Sequence, residues 1–111
     1  MQVVEISVGG QVFASALSTW GRFQGSLLAG LVDPKWQGQV LRDADGRIFI
    51  DRSPMLFHHV LSFLRSPTEP IEGLAEEDEP AFKRELMYYG LESLVYSAVR
   101  MSFALQCSGM K

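Results

Sequence analysis

The stretch "RIFIDRSPMLFHHVLSFLR", residues 47–65, runs a strand-like segment into a strongly apolar helix with almost no linker. The strand-like part ends in a charged pair, Asp51 and Arg52. Ser53 can then cap a helix whose first position is Pro54, where a missing N–H leaves nothing unbonded. Leu56, Phe57, Val60, Leu61 and Leu64 recur at helical spacing, which predicts one broad buried face. Pro67 ends that helix. A fixed acid and a fixed base therefore stand where the core begins.

Working upstream, "QVLRDADGRIFID" (39–51) reads as a β-hairpin, with Asp43, Asp45 and Gly46 supplying the turn chemistry. Nearer the N-terminus, Val4, Ile6 and Val8 alternate with Glu5 and Ser7, as in a half-buried strand. Gly9-Gly10 supplies a turn tolerant of positive φ, and "QVFASAL" returns as the second strand of a first hairpin. Between the hairpins, Ser18 and Thr19 are candidate caps for a helical stretch reaching about Val32. Gly21, Gly25 and Gly30 break it into two short helices, with Ser26 capping "LLAGLV" and Asp33-Pro34 stopping it.

Downstream, residues 66–80 hold six acids (Glu69, Glu72, Glu76, Glu77, Asp78 and Glu79) and no base. The chain has net charge −3, so without this loop the remainder carries +3. Acids just before Pro80 favour the start of the next helix, "AFKRELMYYG", through the helix dipole, and Gly90 can close it in the left-handed conformation. "LESLVYSAVRMSFAL" is predicted as a final helix. The order is hairpin, broken helix, hairpin, three helices: an α+β domain with a small sheet from two hairpins and helices packed on it. A single domain over 1–104 and a tail over 105–111 are expected.

The composition, 47% hydrophobic and 21% charged over 111 residues, fits one soluble globular core. No apolar run reaches the roughly 18–20 residues of a membrane span, and the N-terminus does not look like a signal peptide. No basic run with interleaved aromatics is present, so nucleic acid is not an expected partner. The single cysteine, Cys107, forms no intramolecular disulfide and fits a reducing compartment, the cytoplasm or the nucleus.

Four motifs in order, "VGGQVF" (8–13), "DADGRIFIDRSP" (43–54), "LFHHVLSFLR" (56–65) and "ELMYYGL" (85–91), give the chain a resemblance to the BTB/POZ domain in its potassium-channel tetramerisation form. The combination across 49–65 is closer to the KCTD-like proteins than to the voltage-gated channels. The resemblance implies self-association into a closed ring, a tetramer or a pentamer. It also raises two further readings: a substrate adaptor for the cullin-three ubiquitin ligase, or the cytosolic assembly domain of a potassium-channel subunit. Ser53 and Gln24 depart from the family pattern, in which many relatives carry Asp and Pro there.

A ring built from unlike patches must set a rotation angle, and charged groups do this well because a misaligned pair leaves a desolvated charge. Neighbours on an extended strand, Asp51 and Arg52 project to opposite faces. Arg52 is the leading interface candidate, its fork suited to a bidentate contact with a carboxylate across the joint, while Asp51 can cap the helix at Pro54. The plainer reading is an ordinary cap and an exposed arginine worth less than about 1 kcal/mol. Asp43, Phe49, Glu85 and Tyr88 complete the candidate interface, Glu85 because the matching family helix commonly carries an acid there. Trp36, in a polar loop, and the acids Glu76, Glu77 and Asp78 form a candidate partner surface; a small apolar cluster under the loop explains Trp36 equally well, and a solvated loop explains the acids better.

No metal or cofactor is expected. His58 and His59 point about 100° apart on a helix, so one is read as packed and the other as exposed. Zinc-binding channel relatives use several cysteines, where this chain has one. Cys107 has no identifiable base, and no nucleophile elbow or phosphate loop is present, so an enzyme is not expected. Phe57, Phe63, Tyr88, Tyr89 and Tyr96 are expected to be mostly core.

Overall fold

A computed structural model describes residues 2–91. Strand β1 (Val3–Val8) pairs antiparallel with β2 (Gln11–Ala16), from Val3 opposite Ala16 to Val8 opposite Gln11. Gly9 and Gly10, at φ of 59° and 100°, make the turn that other residues would resist. The other edge of β1 takes a three-residue strand, β3 (Ile48–Ile50), in parallel, so the sheet order is β2-β1-β3. As the central strand, β1 is covered on both faces: Ile6 and Val8 are fully buried on one, and Ser7 is buried on the other.

The second hairpin is therefore corrected. Its turn exists, with the Asp43 N–H donating to the Arg47 carbonyl and the Phe49 N–H to the Leu41 carbonyl, both at 2.9 Å. Its first arm is not a strand, and only the isolated antiparallel bridge between Arg42 and Ile48 survives. Leu41 is exposed, so this arm buries little. Ile48 and Ile50 gain their burial by joining β1 instead.

Helix α1 (Leu17–Trp20) leaves β2 directly, and α2 (Leu27–Val32) follows after a break. Ser26 caps α2 as expected, its Oγ accepting from the Ala29 N–H at 3.2 Å. Ser18 and Thr19 do not cap; both lie within α1. That helix is instead placed by long-range bonds: the Leu17 N–H donates to the Gln2 carbonyl at 2.8 Å, and Trp20 Nε1 to the Val4 carbonyl at 3.0 Å. Asp33 stops α2 and caps a 3-10 turn, Pro34–Trp36.

Helix α3 (Phe57–Arg65) begins three residues later than Pro54 predicts. Ser53 accepts from the Met55 N–H at 3.2 Å, which makes a local turn rather than a cap, and no side chain caps α3. Six of its nine residues are buried, Phe63 among them as expected of a core aromatic, with His59 joining them. Phe57 sits among Phe13, Trp20 and Tyr89, with ring centroids 4.8, 6.1 and 5.2 Å away. After the acidic loop, a 3-10 turn (Glu76–Asp78) feeds α4 (Glu79–Tyr88), with Pro80 in its first turn. Gly90 closes α4 at φ 74°, and the Leu91 N–H returns to the Leu86 carbonyl at 2.8 Å. A Cβ on Gly90 would stand 3.0 Å from the Leu27 nitrogen, so α4 ends packed on the start of α2. The predicted final helix beyond Leu91, Tyr96, Cys107 and the tail lie outside the described residues.

Candidate functional site

The backbone leaving β3 is clamped from below. The Gly9 N–H donates to the Ile50 carbonyl at 2.9 Å, and a Cβ on Gly9 would lie 2.4 Å from the Arg52 carbonyl oxygen. This close approach holds Arg52 where its side chain reaches α4. Arg52 Nε donates to Glu85 Oε1 at 3.1 Å and Nη2 to Glu85 Oε2 at 2.5 Å. Its guanidinium also lies over the Tyr88 ring, 4.1 Å from the centroid. Glu85 and Tyr88 are three residues apart on α4 and so share a face.

The bidentate carboxylate partner of Arg52 is thus in its own chain, 33 residues away. The Glu85 side chain is 16% exposed and that of Arg52 31%, so the pair sits at the rim of the core. Hydrogen bonding to Glu85 raises the Arg52 pKa further, and its charge is permanent. Beside the pair lies Tyr89, fully buried, with its hydroxyl hydrogen-bonded to nothing among the described residues. Burial, reinforced by the charge of Glu85, pushes that hydroxyl's pKa up, so it stays protonated. Tyr88, expected in the core, is instead 44% exposed.

Asp51 is exposed and forms no side-chain hydrogen bond among the described residues; it does not cap α3. Asp43 organises the turn before β3, its Oδ1 accepting from the Asp45 and Arg47 N–H groups, each at 2.9 Å. Phe49 is half-buried on β3 and lines a groove of about 440 Å³ with Leu27, Leu31, Trp36, Val40 and Leu41. Trp36 is 45% exposed at its edge, with Lys35 Nζ 6.0 Å from its ring centroid. Glu76 and Glu77 are exposed on the turn before α4, and Asp78 is half-buried. The candidates thus fall into separate groups: Arg52, Glu85 and Tyr88; the Asp43 turn; the Trp36–Phe49 groove; and the acidic turn.

The histidine pair divides into one packed and one exposed as expected, and the structure assigns the buried place to His59 and the exposed one to His58, with ring centroids 4.0 Å apart. Burial, and the charge of His58, lower the His59 pKa, with Asp78 opposing. Two long-range ties have no local sequence signal: Arg47 to Glu5, and Arg65 to Ala14 and Ser15 of β2. Each spans more than 40 residues.

The fold is a small α+β domain, with the Arg52–Glu85 pair at the rim of its core. The BTB/POZ domain family matches residues 4–99. The potassium channel regulatory protein of Mus musculus is 38% identical over 93 residues, covering 84% of this chain and 34% of that protein. The BTB/POZ domain-containing protein KCTD14 of Homo sapiens is 34% identical over 93 residues, with the same coverage. The Bos taurus potassium channel regulatory protein is 34% identical over 99 residues, covering 85% of this chain and 34% of that protein. The chain belongs to the BTB/POZ family, in its potassium-channel tetramerisation type. It spans about a third of the length of the curated relatives it matches. Domains of this type are protein-interaction and oligomerisation domains, not known as enzymes. Among the described residues, no helix is long and apolar enough to cross a membrane.

Proposed function

We propose that this chain is a homo-oligomerisation module whose copies close side by side into a ring of four or five. The carrying observation is the Arg52–Glu85–Tyr88 constellation: a guanidinium held by two hydrogen bonds and a ring, at the rim and still 31% exposed. A pre-fixed charge loses little entropy on meeting a neighbour, and its orientation sets the angle of approach. Exposed Asp51 and the apolar patch of Phe49, Leu41 and Trp36 offer the unlike second surface that a head-to-tail ring requires. A ring multiplies the effective concentration of whatever each chain carries.

Light scattering of the purified chain tests this. The expected particle is four or five times the 12.4 kDa chain mass. Arg52→Glu shifts it towards the monomer. The swapped pair Arg52→Glu with Glu85→Arg keeps an internal ion pair, so a swapped protein that still assembles removes Arg52 from the interface. A wild type that stays monomeric at high concentration removes the ring itself.

The exposed acids Glu76 and Glu77, just ahead of α4, favour a second reading in which the ring also serves as a cullin-three adaptor. Retention of the cullin N-terminal region by immobilised wild type, reduced by Glu76→Lys with Glu77→Lys, is the expected result. No retention at micromolar concentration ends it.

A further inference from the structure

The tripeptide Arg-Ser-Pro occurs twice, at 52–54 and 65–67, so the two copies flank helix α3. Serine before proline is the dipeptide that proline-directed protein kinases recognise, and both serines are exposed. Their surroundings differ. Ser53 is tied down: its hydroxyl accepts from the Met55 N–H, Arg52 is held by Glu85, and Pro54 packs on the Gly9 turn. Ser66 has no side-chain hydrogen bond among the described residues. Its φ of −141° and ψ of 73° lie outside the helical region, as the following proline demands. It opens onto a shallow depression of about 360 Å³ lined by Arg65, Glu69 and Glu72. The backbone of Ser66 is bonded, its N–H donating to the Ser62 carbonyl and its carbonyl accepting from the Glu69 N–H, each at 3.0 Å, so what sets this copy apart is an exposed hydroxyl with no partner among the described residues, where the Ser53 hydroxyl is engaged.

We propose that Ser66 is a phosphoacceptor for a proline-directed kinase, and that its phosphoryl group weakens the junction between the end of α3 and the edge strand β2. Ser66 Oγ attacks the γ-phosphorus of a nucleoside triphosphate. The new Oγ–P bond forms as the bond to the bridging oxygen breaks. The hydroxyl proton passes to the kinase's base, and the nucleoside diphosphate leaves.

The consequence follows from charge. The last turn of α3 presents the negative end of its dipole, and Glu69 and Glu72 stand nearby, so a dianion there is repelled. The adjacent cation is Arg65, and it is already in use: Nη2 donates to the Ala14 carbonyl at 2.9 Å and Nε to Ser15 Oγ at 3.3 Å. The phosphate either stays unpaired at the negative helix end or draws Arg65 off β2. Both outcomes loosen the same joint.

The test treats the whole chain with a recombinant proline-directed serine/threonine kinase and magnesium ATP, then maps sites by mass spectrometry and measures Tm. Ser66 carries the phosphate and Ser53 stays at background. The Ser66-phosphorylated protein melts about 2–4 °C below the kinase-treated Ser66→Ala variant. Phosphate confined to Ser53, no phosphate on Ser66, or an unchanged or raised Tm with Ser66 modified each overturns the proposal.

Discussion

Arg47 and Arg52 flank the same three-residue strand, and both are ion-paired, yet they are different devices. Arg47 hydrogen-bonds two exposed carboxylates, Glu5 at 2.9 Å and Asp45 at 3.0 Å, whose side chains are 52% and 75% exposed, and has a third, longer ion pair to Asp43 at 3.9 Å. Arg52 gives both its bonds to one carboxylate that is 16% exposed, and rests on an aromatic ring. Water and salt compete freely for the first arrangement and poorly for the second. Arg47 ties down a turn; Arg52 is a charge with one fixed direction. Two arginines five residues apart can thus hold unequal weight, because partner number, burial and backbone support differ.

The contrast can be broken most forcefully through Gly9. Gly9→Ala drives a Cβ into the Arg52 carbonyl at a backbone φ of 59°, and is expected to cost about 2–4 kcal/mol in urea unfolding. A smaller loss would show that the Arg52 backbone is not clamped there. Arg52→Ala comes next, at about 1–2 kcal/mol, because it strips Glu85 of both bonds at a half-buried site. A double-mutant cycle with Glu85→Ala should return a coupling that persists in about 1 M salt, where the screening length is short.

Neither arginine titrates near neutrality, so a pH slope there has another source. His59 is packed against Phe82, close to Gly73, with His58 and Asp78 as the charged groups near it. Its pKa is lowered in the folded state, first by burial. The unfolded chain therefore takes up this proton at higher pH than the folded one. The site's contribution to stability is complete above about pH 6.5 and falls as pH drops through that value towards the folded pKa. His59→Gln should flatten this part of the slope in urea midpoints measured at intervals between about pH 7.5 and 5. An unchanged slope would assign it to other groups. Arg47→Ala should have the smallest effect, a Tm barely separable from wild type and a difference that vanishes in high salt.

Local chemistry made much of the fold legible. Glycines demand a turn at 9–10, Ser26 caps α2, Asp33-Pro34 ends it, and apolar spacing marks the buried face of α3. Each depends on residues within a few positions of one another, and short-range sterics and hydrogen bonds decide such features wherever the segment lies. Where local signals failed, a distant partner had overruled them. Ser18 and Thr19 are good caps in isolation, but bonds from Leu17 to Gln2 and from Trp20 to Val4 begin α1 earlier. The 39–51 segment has a hairpin's turn, but β3 gains more burial beside β1 than from its exposed sequence neighbour.

The candidate site divides along the same line. Arg52 and Glu85 stand out in the sequence as charges beside apolar runs, and their family motifs mark them. That they bind each other, and that Tyr88 turns outward beneath the guanidinium, came only with the tertiary structure. A contact across 33 residues has no periodicity to announce it, since it depends on where two rigid elements dock rather than on the spacing within either.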